Sequence, residues 1–258
     1  MNLDQKNIVL TGAASGIGFE ILQALKNKNV RIIAADIHSQ NLKKAIGDVP
    51  DCHAFVADLS KPEEIDRLFD FTIQKIETID LFIANAGFAY YEKLENPDWE
   101  HQRKIIDLNF NGPVYSAVKM AALNKNRSYK TVFISSAMAY WATPGYSLYS
   151  ASKAALKRFA DGFRFETPSN SFSIAYPIAT NTNFFNAAGE LVPRSKPMQE
   201  PYKVAQRIIK GIEKDRFQIY PSRLFRISYH LNKIISVIKP VFQHQENQRF
   251  KKWLCLKK

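Results

Sequence analysis

Tyr149 and Lys153 stand four residues apart in the segment Tyr149-Ser150-Ala151-Ser152-Lys153. On a helix, residues i and i+4 share a face, so both side chains can reach one site. A phenol normally titrates near pKa ~10. A nearby ammonium favours the phenolate and lowers that value. A tyrosine tuned this way can take a proton from an alcohol or give one to a carbonyl near neutral pH. The spacing alone is common, so its companions carry the weight. Ser136 lies upstream at the end of an apolar run, where its hydroxyl could hold a substrate oxygen beside Tyr149. Asn109 falls in a long helical segment, and Asn85-Ala86-Gly87 closes a further apolar run.

A second group of residues suits binding rather than reaction. Thr11-Gly12-Ala13-Ala14-Ser15-Gly16-Ile17-Gly18 follows the first strand-like run and opens the first helical one. Free N–H groups at a helix start, backed by the helix dipole, favour phosphate. Glycine allows a sharp turn and a close approach of pyrophosphate to the backbone. Gly12, Ser15, Gly16, Ile17 and Gly18 are the candidate contacts. Asp36 ends the second strand-like run, at the distance of about 20 residues where a dinucleotide site keeps its acidic residue. Its carboxylate can accept hydrogen bonds from both ribose hydroxyls of an adenosine and repels a 2′-phosphate. No Lys or Arg stands at Ala13, Ala14, Ser15 or Ile37 to offset that repulsion, so NAD is expected over NADP.

These residues need elements to hold them. Hydrophobic patterning predicts strands at 7–11, 30–36, 53–57, 80–84, 131–135, 172–176 and 217–220. Helices are predicted at 17–28, 40–47, 62–77, 99–124, 147–166 and 201–214, the fourth bent by Gly112-Pro113. Short strands that are apolar on both faces call for helices on both sides of a parallel sheet. The expected fold is one doubly wound α/β domain of about seven strands over residues 1–221. Asp36, Asp58, Asn85, Ser136 and the glycine loop then all fall at strand carboxyl ends, where ligands bind in such sheets.

In this order and spacing, the glycine loop, Asp58-Leu59, Asn85-Ala86-Gly87, Asn109, Ser136, Tyr149 with Lys153, and Pro177 with Thr182 resemble the short-chain dehydrogenase/reductase family. The resemblance covers about residues 6–220 and implies a Rossmann-type NAD(H) oxidoreductase. By that resemblance Tyr149 is the general acid/base, and Lys153 lowers its pKa and holds the nicotinamide ribose. Ser136 orients the reacting oxygen, and Asn109 anchors a water that links Lys153 to solvent. Asp58 meets the adenine amino group beside the Leu59 backbone. Asn85, Ala86 and Gly87 line the cofactor path, and Thr182 contacts the carboxamide or the phosphates. A homo-oligomer is implied as well. Two positions depart from the family: Ala84 where it usually has Asn, and Ile178 where it usually has Gly after Pro177. A branched side chain does not copy glycine geometry easily, so a shifted loop is expected there. A non-catalytic NAD-binding regulator or membrane-associated scaffold is the alternative on this fold; Asn109, Ser136, Tyr149 and Lys153 together argue for the enzyme.

The bulk properties narrow the class. The 258 residues are 46% apolar and 23% charged, as in globular proteins. Cys52 and Cys255 lie far apart without a metal-ligand pattern, so no metal and a reducing, cytoplasmic setting are expected. Neither a signal peptide nor an apolar run of membrane-span length is found. The net charge is +12, and residues 222–258 hold nine Lys/Arg against one acid, Glu246. No nucleic-acid reading motif accompanies that charge, so nucleic-acid binding is not expected. Leu224, Ile227, Leu231, Ile234, Ile235 and Ile238 recur near helical spacing until Pro240 interrupts them. This basic amphipathic extension could lie on a membrane, possible only as a peripheral contact, or cover the protein's own core or a partner. Phe88, Tyr90, Tyr91, Met138, Tyr140, Trp141, Tyr146, Phe184 and Phe185 fall in segments expected around the site, which suggests an apolar small-molecule substrate. Residues 183–200 read as a mobile lid.

Overall fold

The apolar runs pair as parallel strands: β1 (Lys6–Thr11), β2 (Val30–Asp36), β3 (Cys52–Val56), β4 (Leu81–Ala84), β5 (Lys130–Ile134), β6 (Phe172–Ala175) and β7 (Gln218–Ile219). This computed structural model describes residues 1–256; Lys257 and Lys258 of the basic extension lie outside the described residues. The strands form one sheet in the order β3-β2-β1-β4-β5-β6-β7. The chain winds outward from β1 to β3, then crosses back to lay β4 on the other side of β1. That reversal opens a crevice beyond the carboxyl ends of β1 and β4. Leu10 of β1 is registered with Ala34 on one side and Ile83 on the other, so the strand ends come level there.

The helices are α1 (Gly16–Leu25), α2 (Ser39–Ile46), α3 (Pro62–Ile76), α4 (Trp99–Ile106), α5 (Gly112–Leu123), α6 (Ser147–Phe163), α7 (Phe184–Ala188), α8 (Pro201–Glu213), α9 (Arg223–Asn232) and α10 (Ile238–Leu256). Alternation along β1 divides the core in two. Ile8 and Leu10 pack with Ile21 and Leu22 of α1 and Ile208 of α8. Val9 faces the other way, into a cluster with Leu68 of α3, Met120 of α5 and Leu156 of α6. Both faces are covered, as continuously apolar strands require.

The expected single helix over 99–124 is instead two helices joined by a π-helical turn, Asp107–Asn111. Pro113 has no N–H to donate to the carbonyl of Asn109, four residues back, so the ordinary ladder cannot run through. The Gly112 N–H bonds the Asp107 carbonyl, five residues back. Gly112 also approaches the turn after β3 too closely for a side chain, since a Cβ there would lie 2.5 Å from the Leu59 carbonyl oxygen. The turn buries Asn109 completely.

Pro240 does not interrupt the C-terminal pattern as expected. It lies in the first turn of α10, where a missing N–H is tolerated. The break falls just before, over residues 233–237, where the Lys239 N–H bonds Asn232 Oδ1 at 2.8 Å. The extension packs back on the domain. Phe225 and Tyr229 of α9 meet Trp141 and Tyr140 at 5.5 and 4.2 Å between ring centroids.

Candidate active site

The glycine loop is held by β4. The Thr11 hydroxyl accepts from the Asn85 and Ala86 N–H groups, both at 3.0 Å. The Asn85 carboxamide donates to the carbonyls of Thr11 and Gly12, each at 3.0 Å. Asn85 therefore clamps the loop rather than simply lining a path. Gly12 has φ +64°, and a Cβ there would lie 2.8 Å from Ala86 Cα. At Gly18 a Cβ would fall 1.9 Å from the Gly12 carbonyl oxygen. Ser15 makes no side-chain cap to α1, leaving the helix start to a ligand. This cradle fits the pyrophosphate of a dinucleotide.

Around the cradle, Asp36 accepts from the Ala14 and His38 N–H groups, each at 3.0 Å. It stiffens the loop, and a carboxylate with four lone-pair sites keeps acceptor capacity beyond those two bonds. Ile37 is exposed beside it. One Asp58 oxygen caps Ser60 through its N–H and hydroxyl, at 3.1 and 2.7 Å, while Leu59 is buried under β4. Thr182 reaches the loop as well: its methyl lies 3.3 Å from where a Gly16 Cβ would stand. The segment after Pro177 thus still arrives at the glycine loop. Ile178 is not among the residues with positive φ, so it takes its place without glycine geometry. The Pro177 carbonyl accepts from the Ala137 N–H at 2.8 Å, tying that segment to the Ser136 corner.

The reactive set meets at the carboxyl ends of β4 and β5. The Ser136 side chain stands beside the Tyr149 hydroxyl and favours its ionised form. The Ser136 oxygen accepts from the Met138 N–H at 3.1 Å, so its own hydrogen is free to point at Tyr149. Lys153 is buried, donates to the Ile134 carbonyl at 3.1 Å, and lies 5.7 Å from the Tyr149 ring centroid. Gly87 makes room for it: a Cβ there would stand 3.3 Å from Lys153 Nζ and 2.9 Å from Asn109 Oδ1. The Asn109 side chain brackets the Phe88 backbone, donating to its carbonyl at 2.8 Å and accepting from its N–H at 3.0 Å. It also donates to Ser152 Oγ at 3.2 Å. Asn109 therefore ties the loop after β4 to α6.

Burial sets the proton affinities. It pushes the Tyr149 hydroxyl up to about 12, partly offset by the Ser136 hydrogen bond. It pulls the Lys153 ammonium down to about 8. Loss of solvent is the larger influence on Tyr149, with Ser136 acting in the opposite direction. At neutral pH the site holds a protonated phenol beside a charged lysine.

Three contributors escaped the sequence reading. Ser135 donates to the Lys153 carbonyl at 3.1 Å, Ser152 carries Asn109, and the Ile134 carbonyl receives the ammonium. The two serines adjoin Ser136 and Lys153, which was a signal of a kind; a backbone carbonyl leaves none. On the substrate side, Phe88, Tyr90, Tyr91, Met138, Tyr146 and Phe184 cluster with Tyr149 as expected. Tyr140 and Trp141 instead pack toward α9, and Phe185 turns its edge to Phe184 from outside the cluster. The missing wall comes from the C-terminus. Trp253 and Phe250 of α10 meet Tyr91 at 4.8 and 5.8 Å. Trp253 also donates to the Glu190 carbonyl at 3.0 Å, and Glu246 accepts from Ser195 at 2.7 Å, so α10 pins the 183–200 segment.

Comparison with known proteins agrees with this arrangement. The family model for short chain dehydrogenases matches residues 6–190. The 11-beta-hydroxysteroid dehydrogenase 1A of Arabidopsis thaliana is 28% identical over 251 residues, covering 88% of this chain and 71% of that protein. A short-chain dehydrogenase/reductase from Burkholderia phymatum, solved with NAD, superposes with a TM-score of 0.79 at 18% identity, over 92% of this chain and 96% of that one. A short-chain dehydrogenase from Sphingobium yanoikuyae, solved with NADPH, gives 0.77 at 20% identity, over 90% and 96%. The chain belongs to the short-chain dehydrogenase/reductase family and is an oxidoreductase that works by nicotinamide-dependent hydride transfer.

Gly18→Ala drives a methyl into the Gly12 carbonyl and should spread the loop; we expect NADH affinity, read by fluorescence titration, to fall at least about tenfold. Lys153 gives a pH test. Below pH 8 its ammonium is charged both folded and unfolded, and burying it costs stability in full. Between about 8 and the ordinary value of 10.5 the folded state loses the proton first, and the cost is relieved. Lys153→Met should therefore gain stability over the parent at pH 7, by roughly 1–3 kcal/mol, and lose that advantage as pH rises through this window. Urea midpoints at pH 7 and 10 check it; a constant difference contradicts the assignment.

Proposed function

We propose that the protein interconverts an apolar secondary alcohol with its ketone, or an alcohol with its aldehyde, using NAD(H). The observation that carries the reading is the convergence of buried Tyr149, Ser136 and Lys153 at the carboxyl end of β5, with the glycine cradle on the far side of β4. The cradle residues that would hold the dinucleotide are Gly12, Ser15, Gly16, Ile17 and Gly18. Asp36 and Ile37 would flank the adenosine ribose, and Asp58 and Leu59 the adenine. Asn85, Ala86, Gly87, Lys153, Pro177 and Thr182 would lie along the remainder. When bound, the nicotinamide supplies or accepts the hydride.

The chain's own residues handle the proton. Tyr149 is the general acid/base. Burial keeps its hydroxyl protonated at neutral pH, ready to donate to a carbonyl oxygen. Ser136 donates to that oxygen and fixes its position between the two hydroxyls. Lys153 keeps a positive charge in a dry site, where it lowers the cost of the phenolate left behind. Asn109 positions Lys153 and Phe88 by tying α6 to the loop after β4, and its turn is where a water linking Lys153 to solvent would sit. The aromatic wall of Tyr91, Tyr146, Phe184 and Trp253 favours an apolar substrate, in keeping with the steroid dehydrogenase name of the plant relative.

NAD is preferred over NADP in this reading because the Asp36 carboxylate sits against the glycine loop and no Lys or Arg stands at Ala13, Ala14, Ser15 or Ile37 to receive a 2′-phosphate. The exposed Trp99, Tyr115, Val118 and Leu123 on α4 and α5 suit a homo-oligomer contact. Sparse, widely spaced cysteines suit a cytoplasmic setting.

Tyr149→Phe, assayed by NADH consumption over hydrophobic ketones and aldehydes, should lower kcat about 10²–10⁴-fold with NADH affinity nearly unchanged. Full activity in the variant would overturn the mechanism. The ratio of binding constants should favour NADH over NADPH in the parent and move toward unity in Asp36→Ala; tighter NADPH binding by the parent refutes the cofactor assignment.

A further inference from the structure

The C-terminal extension has two faces, and only one is used by the fold. Its inner face is filled: Phe225, Tyr229 and Phe242 pack on Tyr140 and Trp141, and Trp253 is buried against Tyr91. Its outer face is apolar and exposed. Leu224, Ile227 and Leu231 form one stripe along α9, three and then four residues apart. The stripe continues into the turn before α10 with Ile234, Ile235 and Val237. Ile234 is 83% exposed, at the tip of that turn. Contiguous apolar surface of this kind marks an interaction site.

The charge around the patch narrows the partner. Arg223, Arg226 and Lys233 are exposed beside it, and Lys239 follows. The single carboxylate of the extension, Glu246, is buried and taken by Arg249 and Ser195. A second copy of this face would bring like charges together across a two-fold axis. A nucleic-acid backbone would leave the aliphatic stripe unsatisfied. An anionic bilayer satisfies both features: aliphatic side chains enter the interface while cations meet the headgroups. No helix among the described residues is long and apolar enough to cross a membrane, so the contact is interfacial.

We propose that the outer face of α9 and the turn leading to α10 docks on the surface of an anionic membrane. The same extension supplies Phe250 and Trp253 of α10 to the aromatic cluster around Tyr149, so one segment carries both the docking face and part of that cluster.

The test is co-sedimentation of the full chain with phosphatidylcholine vesicles, with and without phosphatidylserine, at low and high salt. Phosphatidylserine should raise the pelleted fraction, and salt should lower it. Ile227→Ser with Ile234→Ser should cut the partition coefficient at least about tenfold, as expected for removing two inserted side chains. Arg223→Gln with Arg226→Gln should cut it about fivefold per charge with phosphatidylserine present and leave pure phosphatidylcholine unaffected. An unchanged thermal midpoint and unchanged NADH binding show that both variants fold. Failure of the parent to pellet with phosphatidylserine, or equal pelleting of the isoleucine variant, refutes the proposal. So does a parent dimer that those serines dissociate without any vesicle binding. None of these readouts depends on turnover.

Discussion

A buried ammonium is the constraint around which the site is arranged. Lys153 has left bulk water, and a cation in that position is expensive unless dipoles receive it. The Ile134 carbonyl at the end of β5 does so directly. The absence of a side chain at Gly87 leaves the space it occupies. Ser135 holds the Lys153 carbonyl, so the first turns of α6 are fixed to the strand end on which Ser136 stands. The same attachment brings Tyr149 to the side of Ser136. The chemistry of the pair is thus inseparable from how α6 meets β5.

The π-helical turn before α5 extends that logic to the neighbouring loop. A regular helix through 99–124 would place Asn109 differently along its surface. With Pro113 unable to donate, the turn widens, and Asn109 is set where its carboxamide holds both the Phe88 backbone and Ser152. A widened turn in one helix therefore joins two elements that flank the site, a recurrent use of π-turns. On the opposite side, Thr11 and Asn85 join β1 to β4 and fix the glycine loop. The cofactor cradle and the reactive pair rest on adjacent strand ends of one sheet, so neither can move far without the other.

The C-terminal extension changes the picture of the substrate side. Its aromatic residues complete a wall that the domain leaves open, and its buried carboxylate ties down the segment after β6. The segment 183–200 contacts α10 through Glu190 and Ser195. Tyr140 and Trp141, which the sequence placed around the substrate, are spent on anchoring α9. The aromatic cluster around Tyr149 thus draws on Phe250 and Trp253, far along the chain from its other members.

The alternation of strands and helices, the glycine loop at the first strand-to-helix junction and Asn109, Ser136, Tyr149 and Lys153 as a candidate set are legible in the residues alone. Those are local signals: a period of two or 3.6, a glycine where the chain must turn, a tyrosine and a lysine one helical turn apart. The tertiary structure decided what local pattern cannot carry. It turned Asn85 from a lining residue into a clamp and moved the helix break from Gly112-Pro113 to the turn before them. It put Pro240 inside a helix and gave α10 a place beside Tyr149. Above all it set how deeply Tyr149 is buried, and burial raises its proton affinity. Desolvation and dipole orientation are sums over neighbours distant in the chain, and no spacing of residues encodes them.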